Sequence, residues 1–141
     1  MKLLVTGSTG FIGSRVAKLA QECQWEVVPV VRKAAQVQPN SLFVNSQFVN
    51  SFAVSSIDSS TDWSGAFDGV DCVVHCAARV HQMNESEQDA LAAYREVNTL
   101  GTLTLARQAA DAGVKRFVFT EIVYRYASGY LLGAKNRERC E

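Results

Sequence analysis

The chain has 141 residues, 48% of them hydrophobic, which suits one domain with its own core and is too apolar for a disordered segment. Its 14 basic and 14 acidic residues cancel to a formal net charge of zero, so charge makes no case for nucleic acid or an anionic membrane as partner. No apolar run reaches membrane-spanning length, and the opening apolar segment is too soon interrupted for a signal peptide; a cytoplasmic location is the expectation.

Lys2-Leu3-Leu4-Val5 reads as a short buried strand, and Thr6-Gly7-Ser8-Thr9-Gly10-Phe11-Ile12-Gly13 follows as a glycine-rich turn and a helix start. Gly7 allows a sharp turn after the strand. Gly10, lacking a Cβ, lets a pyrophosphate approach the backbone, and Gly13 lets the helix pack close to the strand. The helix N-terminus adds free N–H groups and a partial positive charge. The spacing is G-x-x-G-x-x-G, and glycines also fill ordinary turns, so the weight rests on context. A strand precedes the loop, and Ile12, Val16, Leu19, Ala20 and Cys23 give the following helix an apolar face. No Gly-Lys-Ser/Thr follows, which excludes a Walker-type site.

Trp25 to Val31 reads as a second strand ending at Arg32-Lys33, before a stretch from 33 to 60 rich in Gln, Asn and Ser. Phe43-Val44-Asn45-Ser46 recurs as Phe48-Val49-Asn50-Ser51, too little for a repeat architecture. A third strand is expected near Phe52 to Ser55, a short capped helix over Thr61 to Phe67, and a fourth strand over Val70 to Ala78. Cys72-x-x-His75-Cys76 has the look of a ligand set. On an extended strand, however, the two thiols project one way and the imidazole the other, so no metal is expected and the cysteines read as reduced thiols.

A long helix is predicted from about Glu87 to Ala112, with Tyr94, Val97, Gly101, Leu105 and Ala109 on one face. Leu100 and Leu103 lie beside that face, so the helix is expected to be covered on more than one side. Ala112-Gly113 is a stop, and Lys115 to Thr120 the next strand. Alternating strands and helices predict one domain over residues 1–141: an α/β, Rossmann-type doubly wound parallel sheet of order 3-2-1-4-5, truncated after about the fifth strand. Ligands of such a sheet sit at the carboxyl ends of strands 1 and 4, where the order reverses.

Taken together, Val5-Thr6-Gly7-x-x-Gly10-Phe11-Ile12-Gly13, Asp71-x-Val73-Val74-His75-x-Ala77-Ala78, Asn98-x-x-Gly101-Thr102 and Gly113 to Phe119 form a specific pattern in a specific order. The chain resembles the extended short-chain dehydrogenase/reductase superfamily in its NAD(P)-dependent epimerase/dehydratase branch. From His75 to Phe119 it looks especially like bacterial nucleotide-sugar epimerases. The resemblance implies a dinucleotide, NADP or NAD, held by Gly7, Gly10, Phe11, Ile12 and Gly13, with Cys76, Ala77 and Ala78 at the sheet edge. Asn98 would bond a strand-end backbone group or line the site; a plain exposed helix Asn is the bland reading. Ile57 and Asp58 would flank the adenine, although Ser56 stands as an alternative for the acidic position. Arg32, where an NAD-preferring fold places an acid, would pair with a 2′-phosphate and favours NADP slightly, unless it is a solvated strand end.

The resemblance also implies a Tyr-x-x-x-Lys pair, in which the lysine lowers the tyrosine pKa and the tyrosine moves a sugar proton. Here Tyr130 and Lys135 stand five apart, which on a regular helix separates them by roughly 140°. Thr120 is the hydroxyl nearest to the family's serine after the fifth strand. The family continues for about another domain, which would carry the sugar site. Three readings follow: a nucleotide-sugar epimerase or dehydratase whose partial chain turns over little alone, a non-catalytic dinucleotide-binding module, or a ligand-free remnant that self-associates through its last strand.

Overall fold

The apolar strand segments gather into one sheet in a computed structural model that describes residues 1–32, 50–80 and 87–120, with backbone alone at 87–89. The elements are β1 (Lys2–Thr6), α1 (Phe11–Glu22), β2 (Glu26–Arg32), β3 (Phe52–Val54), β4 (Cys72–His75), α2 (Glu87–Tyr94), a π-helical stretch (Arg95–Gly101), α3 (Thr102–Asp111) and β5 (Arg116–Phe119). All neighbouring strands run parallel in the order β3-β2-β1-β4-β5, as the alternation of elements predicts. Because they are parallel, their carboxyl ends share one edge: Thr6 lies opposite His75, and His75 opposite Phe119.

Each face of the sheet buries its own core. On one face Leu3, Val5, Cys72 and Val74 pack with Ala20 of α1, and Val16 and Cys76 lean against them. On the other, Leu4, Val28, Val30, Val54 and Val73 pack with Trp63, Leu105 and Ala109. Alternation along β4 therefore sends Cys72 toward α1 and leaves His75 on the α3 side, against Phe117 and Phe119.

Three sequence expectations are corrected. The buried residues of α1 are Gly13, Ala17 and Ala20, while Leu19 and Cys23 are exposed. Close contact at Gly13 brings the small residues onto the sheet and leaves the larger apolar ones at the flanks. Residues 61–63 are irregular and turns follow from 64, in place of a capped helix over 61–67: Gly65 has φ +80°, Asp62 accepts from Ser64 N–H, and the Gln108 side chain holds both Trp63 N–H and the Thr61 carbonyl at 2.9 Å. The long helix changes to π geometry at its centre, and Leu100 and Leu103, expected to be covered, are 42% and 44% exposed.

Candidate functional site

The glycine-rich turn leaves β1 at Gly7, whose φ of +66° favours a residue without a Cβ. Gly10 N–H donates to the Gly7 carbonyl at 2.8 Å, and Ser14 N–H to the Gly10 carbonyl at 3.0 Å. The N–H groups of Phe11, Ile12 and Gly13 thus precede the first helical bond of α1. Among the described residues no side chain caps this end, and no acid stands in its first turn, so there the partial positive charge of the helix is left uncompensated. Phe11 is 95% exposed beside it. The turn is braced from below: a Cβ on Gly13 would stand 2.2 Å from the Gly7 oxygen, and the buried Ser8 hydroxyl donates to the Val30 carbonyl at 3.0 Å.

Beside the turn runs the segment after β4. A Cβ on Gly7 would come within 2.8 Å of both Ala77 N and the Cys76 carbonyl carbon, so the two backbones touch. Cys76 and Ala77 are half-buried and Ala78 is exposed. Ala77 N–H donates to the Thr6 hydroxyl at 3.2 Å, and that hydroxyl lies 2.6 Å from His75 Nδ1. His75 Nε2 lies 2.9 Å from the Thr102 hydroxyl, which donates to the Asn98 carbonyl at 3.0 Å. Burial of the imidazole lowers its pKa to about 4.

The π-helical stretch supplies the far wall. Asn98 grips the backbone of Arg79, accepting from its N–H at 2.7 Å and donating to its carbonyl at 3.0 Å. Gly101 lies so close to the loop after β3 that a Cβ there would meet the Ile57 oxygen at 2.9 Å. Glu96 accepts from Ser59 N–H at 2.8 Å and from the Ser59 hydroxyl. The Asp58 carboxylate turns onto its own loop, accepting from the Ser56 hydroxyl, from Ser60 N–H and hydroxyl, and from the Thr61 hydroxyl. Those bonds, the Ser56 hydroxyl foremost, lower its pKa to about 2.

The structure thus brings Gly7, Gly10, Phe11, Ile12 and Gly13 beside Cys76, Ala77 and Ala78, and ties Asn98 and Ile57 to the same edge of the sheet. Arg32 stands exposed at the end of β2, opposite Val54. The Thr120 hydroxyl and N–H both donate to the His75 carbonyl at 3.1 Å. Lys33, Tyr130 and Lys135 lie outside the described residues. Sequence reasoning quoted Thr6 and Thr102 within their motifs without giving them, or Ser8, a role; Thr6 and Thr102 join β1, β4 and α3 through His75, and Ser8 ties the turn to β2, and for Thr6 the available signal was a hydroxyl at the end of an otherwise apolar strand. An uncapped helix N-terminus beside a wall of small residues can take an anionic ligand lying across the sheet edge.

The pattern of the NAD dependent epimerase/dehydratase family matches residues 3–129. A UDP-glucose 4-epimerase of Vibrio cholerae is 41% identical over 132 residues, 93% of this chain and 38% of that protein. Among solved structures, a short-chain dehydrogenase/reductase superfamily protein of Agrobacterium tumefaciens with bound NAD is 28% identical with a TM-score of 0.60, over 84% of this chain and 32% of that one. The UDP-glucose 4-epimerase of Thermotoga maritima with UDP-glucose is also 28% identical, with a TM-score of 0.59, over 84% of this chain and 37% of that one. The chain therefore spans under two fifths of the length of each of these relatives. Among the described residues no helix is long and apolar enough to cross a membrane. By its sequence pattern, and by a fold that its solved relatives share, the chain belongs to the NAD dependent epimerase/dehydratase family.

Proposed function

We propose that this chain holds a nicotinamide dinucleotide across the carboxyl ends of β1 and β4, as the cofactor-binding part of a nucleotide-sugar epimerase or dehydratase. The observation that carries the reading is the uncapped first turn of α1 set against the Ala77-Ala78 backbone. In this reading the N–H groups of Phe11, Ile12 and Gly13 receive the pyrophosphate, with Gly7 and Gly10 leaving it room. Cys76, Ala77 and Ala78 border its path, and Asn98 keeps that path fixed through Arg79. Ile57 and Asp58 stand at the adenine end. When bound, the nicotinamide supplies the hydride acceptor and donor.

The choice of cofactor is read from Arg32: an exposed guanidinium at the end of β2 suits a 2′-phosphate, which favours NADP slightly over NAD. Thr120, Tyr130 and Lys135 are the candidates for proton transfer at the sugar. The five-residue separation of the last two supports a chain that turns over little by itself. The setting is cytoplasmic, in keeping with the free thiols Cys72 and Cys76. The test is titration of NADH and NADPH into the purified chain, followed by nicotinamide fluorescence, for the wild type and R32A. The reading expects saturable binding and a selective loss of NADPH affinity in R32A.

A second reading is favoured by the outer strand. Among the described strands β5 has a neighbour on one side only, and its Val118 and Phe119 are 46% and 47% exposed. Such an edge suits pairing with a second copy, giving a homodimer with or without ligand. Sedimentation at high concentration decides: a dimer supports this reading and a monomer ends it.

A further inference from the structure

His75 is buried, titratable and outside the chemistry proposed above, yet it touches three elements of the cleft. Its proton positions follow from counting donors. With the ring proton on Nε2 every hydrogen finds an acceptor and Thr102 donates to Asn98 O, whereas a proton on Nδ1 leaves the Thr6 hydroxyl hydrogen without one among the described bonds. Toward His75 Nε2 the Thr102 oxygen therefore accepts, and Nε2 carries a proton. A neutral ring then leaves Nδ1 bare. Thr6 donates its hydroxyl proton to Nδ1 at 2.6 Å, and its oxygen is left to receive Ala77 N–H at 3.2 Å. Each hydroxyl gives one bond and takes one, and the relay runs in a single direction from the Ala77 amide to the Asn98 carbonyl.

Its two ends matter because of where they sit. Ala77 N is the atom that the Gly7 backbone abuts, and Asn98 is the residue that clamps Arg79. We propose that His75, held as the neutral Nε2–H tautomer, is a positioning residue that sets the spacing between the glycine-rich turn, the segment after β4 and the π-helical stretch, and thereby the width of the dinucleotide cleft. This role rests on the dinucleotide reading. Among the described residues the groups bonded to or stacked on the ring are Thr6 from β1, Thr102 from α3, and Phe117 and Phe119 from β5; none of the four is charged. A proton added at Nδ1 would face the Thr6 oxygen, which would have to redirect its own hydrogen, and the relay would lose its direction.

The experiment has two arms on the purified full chain. Substituting His81→Gln leaves His75 as the one histidine, and nitrogen-edited NMR of its ring reports the tautomer across pH. The expected spectrum shows a protonated Nε2 and a bare Nδ1 at neutral pH, without titration near the ordinary value. A proton on Nδ1, or titration near pH 6.5, overturns the proposal. The second arm measures NADH affinity in T6V and T6S. Loss of the hydroxyl weakens binding about tenfold in T6V, and T6S recovers most of it. If T6V binds as the wild type does, the positioning role fails while the dinucleotide reading stands. If the wild type binds no dinucleotide, that reading fails and takes the positioning role with it, whatever the tautomer. The ring spectrum needs no change at Thr6, so an unfolded T6V does not shield the proposal.

Discussion

The Gly7 carbonyl oxygen sits 2.2 Å from where a Cβ on Gly13 would stand, so the turn and the first turn of α1 are packed backbone to backbone. Alanine at 13 would gain about 1 kcal/mol of helix propensity and meet a carbonyl with no rotamer to relieve the contact. G13A is expected to lose about 2 kcal/mol or more, since overpacking costs of this kind exceed the propensity gain. Urea unfolding against G65A separates the two glycine settings: the space where a Cβ would stand at Gly65 is open, so its cost, about 1 kcal/mol, comes from the φ of +80° alone and not from a clash.

Gly101 and Asn98 hold the opposite wall, and they fail differently. G101A presses on the Ile57 oxygen and Asp58 nitrogen, both within about 3 Å, and shifts that loop at a net cost of about 1 kcal/mol. N98A removes both hydrogen bonds to the Arg79 backbone and costs about 1–2 kcal/mol. Amide exchange maps the damage: near Ile57 in the first variant, at Arg79 in the second.

Acid should weaken the fold in a defined window. His75 takes a proton at about pH 4 when folded and near 6.5 when unfolded, so between those values the unfolded chain binds the extra proton. Its contribution is complete above pH 6.5 and lost as pH falls toward 4, by roughly 3 kcal/mol for a shift of this size. Denaturant midpoints at pH 7, 5.5 and 4.5 should fall in the wild type and stay flatter in H75Q. Asp58 acts lower: its support is present above its ordinary value of 3.8 and fades as pH drops toward about 2.

What the sequence revealed was what periodicity and local chemistry encode. The strand order follows from the alternation of apolar runs with helices, and the placement of Gly7 beside Ala77 follows from that order. The face of α1 did not follow: apolar periodicity weights Leu19 and Cys23, whereas the close contact at Gly13 makes the small residues the buried ones. The irregular stretch and turns at 61–67 depend on Gln108, which is distant in sequence, and local propensity cannot report such a clamp. The π geometry at Arg95–Gly101 reflects what this stretch must reach, from Ser59 to Arg79, and no helical pattern in the residues announces it.

The central claim is that the α1 turn and the Ala77 edge form a working dinucleotide cleft. Direct titration of the wild-type chain with NADH and NADPH, with melting temperature read in parallel, tests it most directly. The account predicts saturable nicotinamide fluorescence, a melting point that rises with ligand, and NADPH binding at least as tightly as NADH. A cooperatively folded chain that shows neither fluorescence change nor thermal shift at saturating concentrations of both would contradict it.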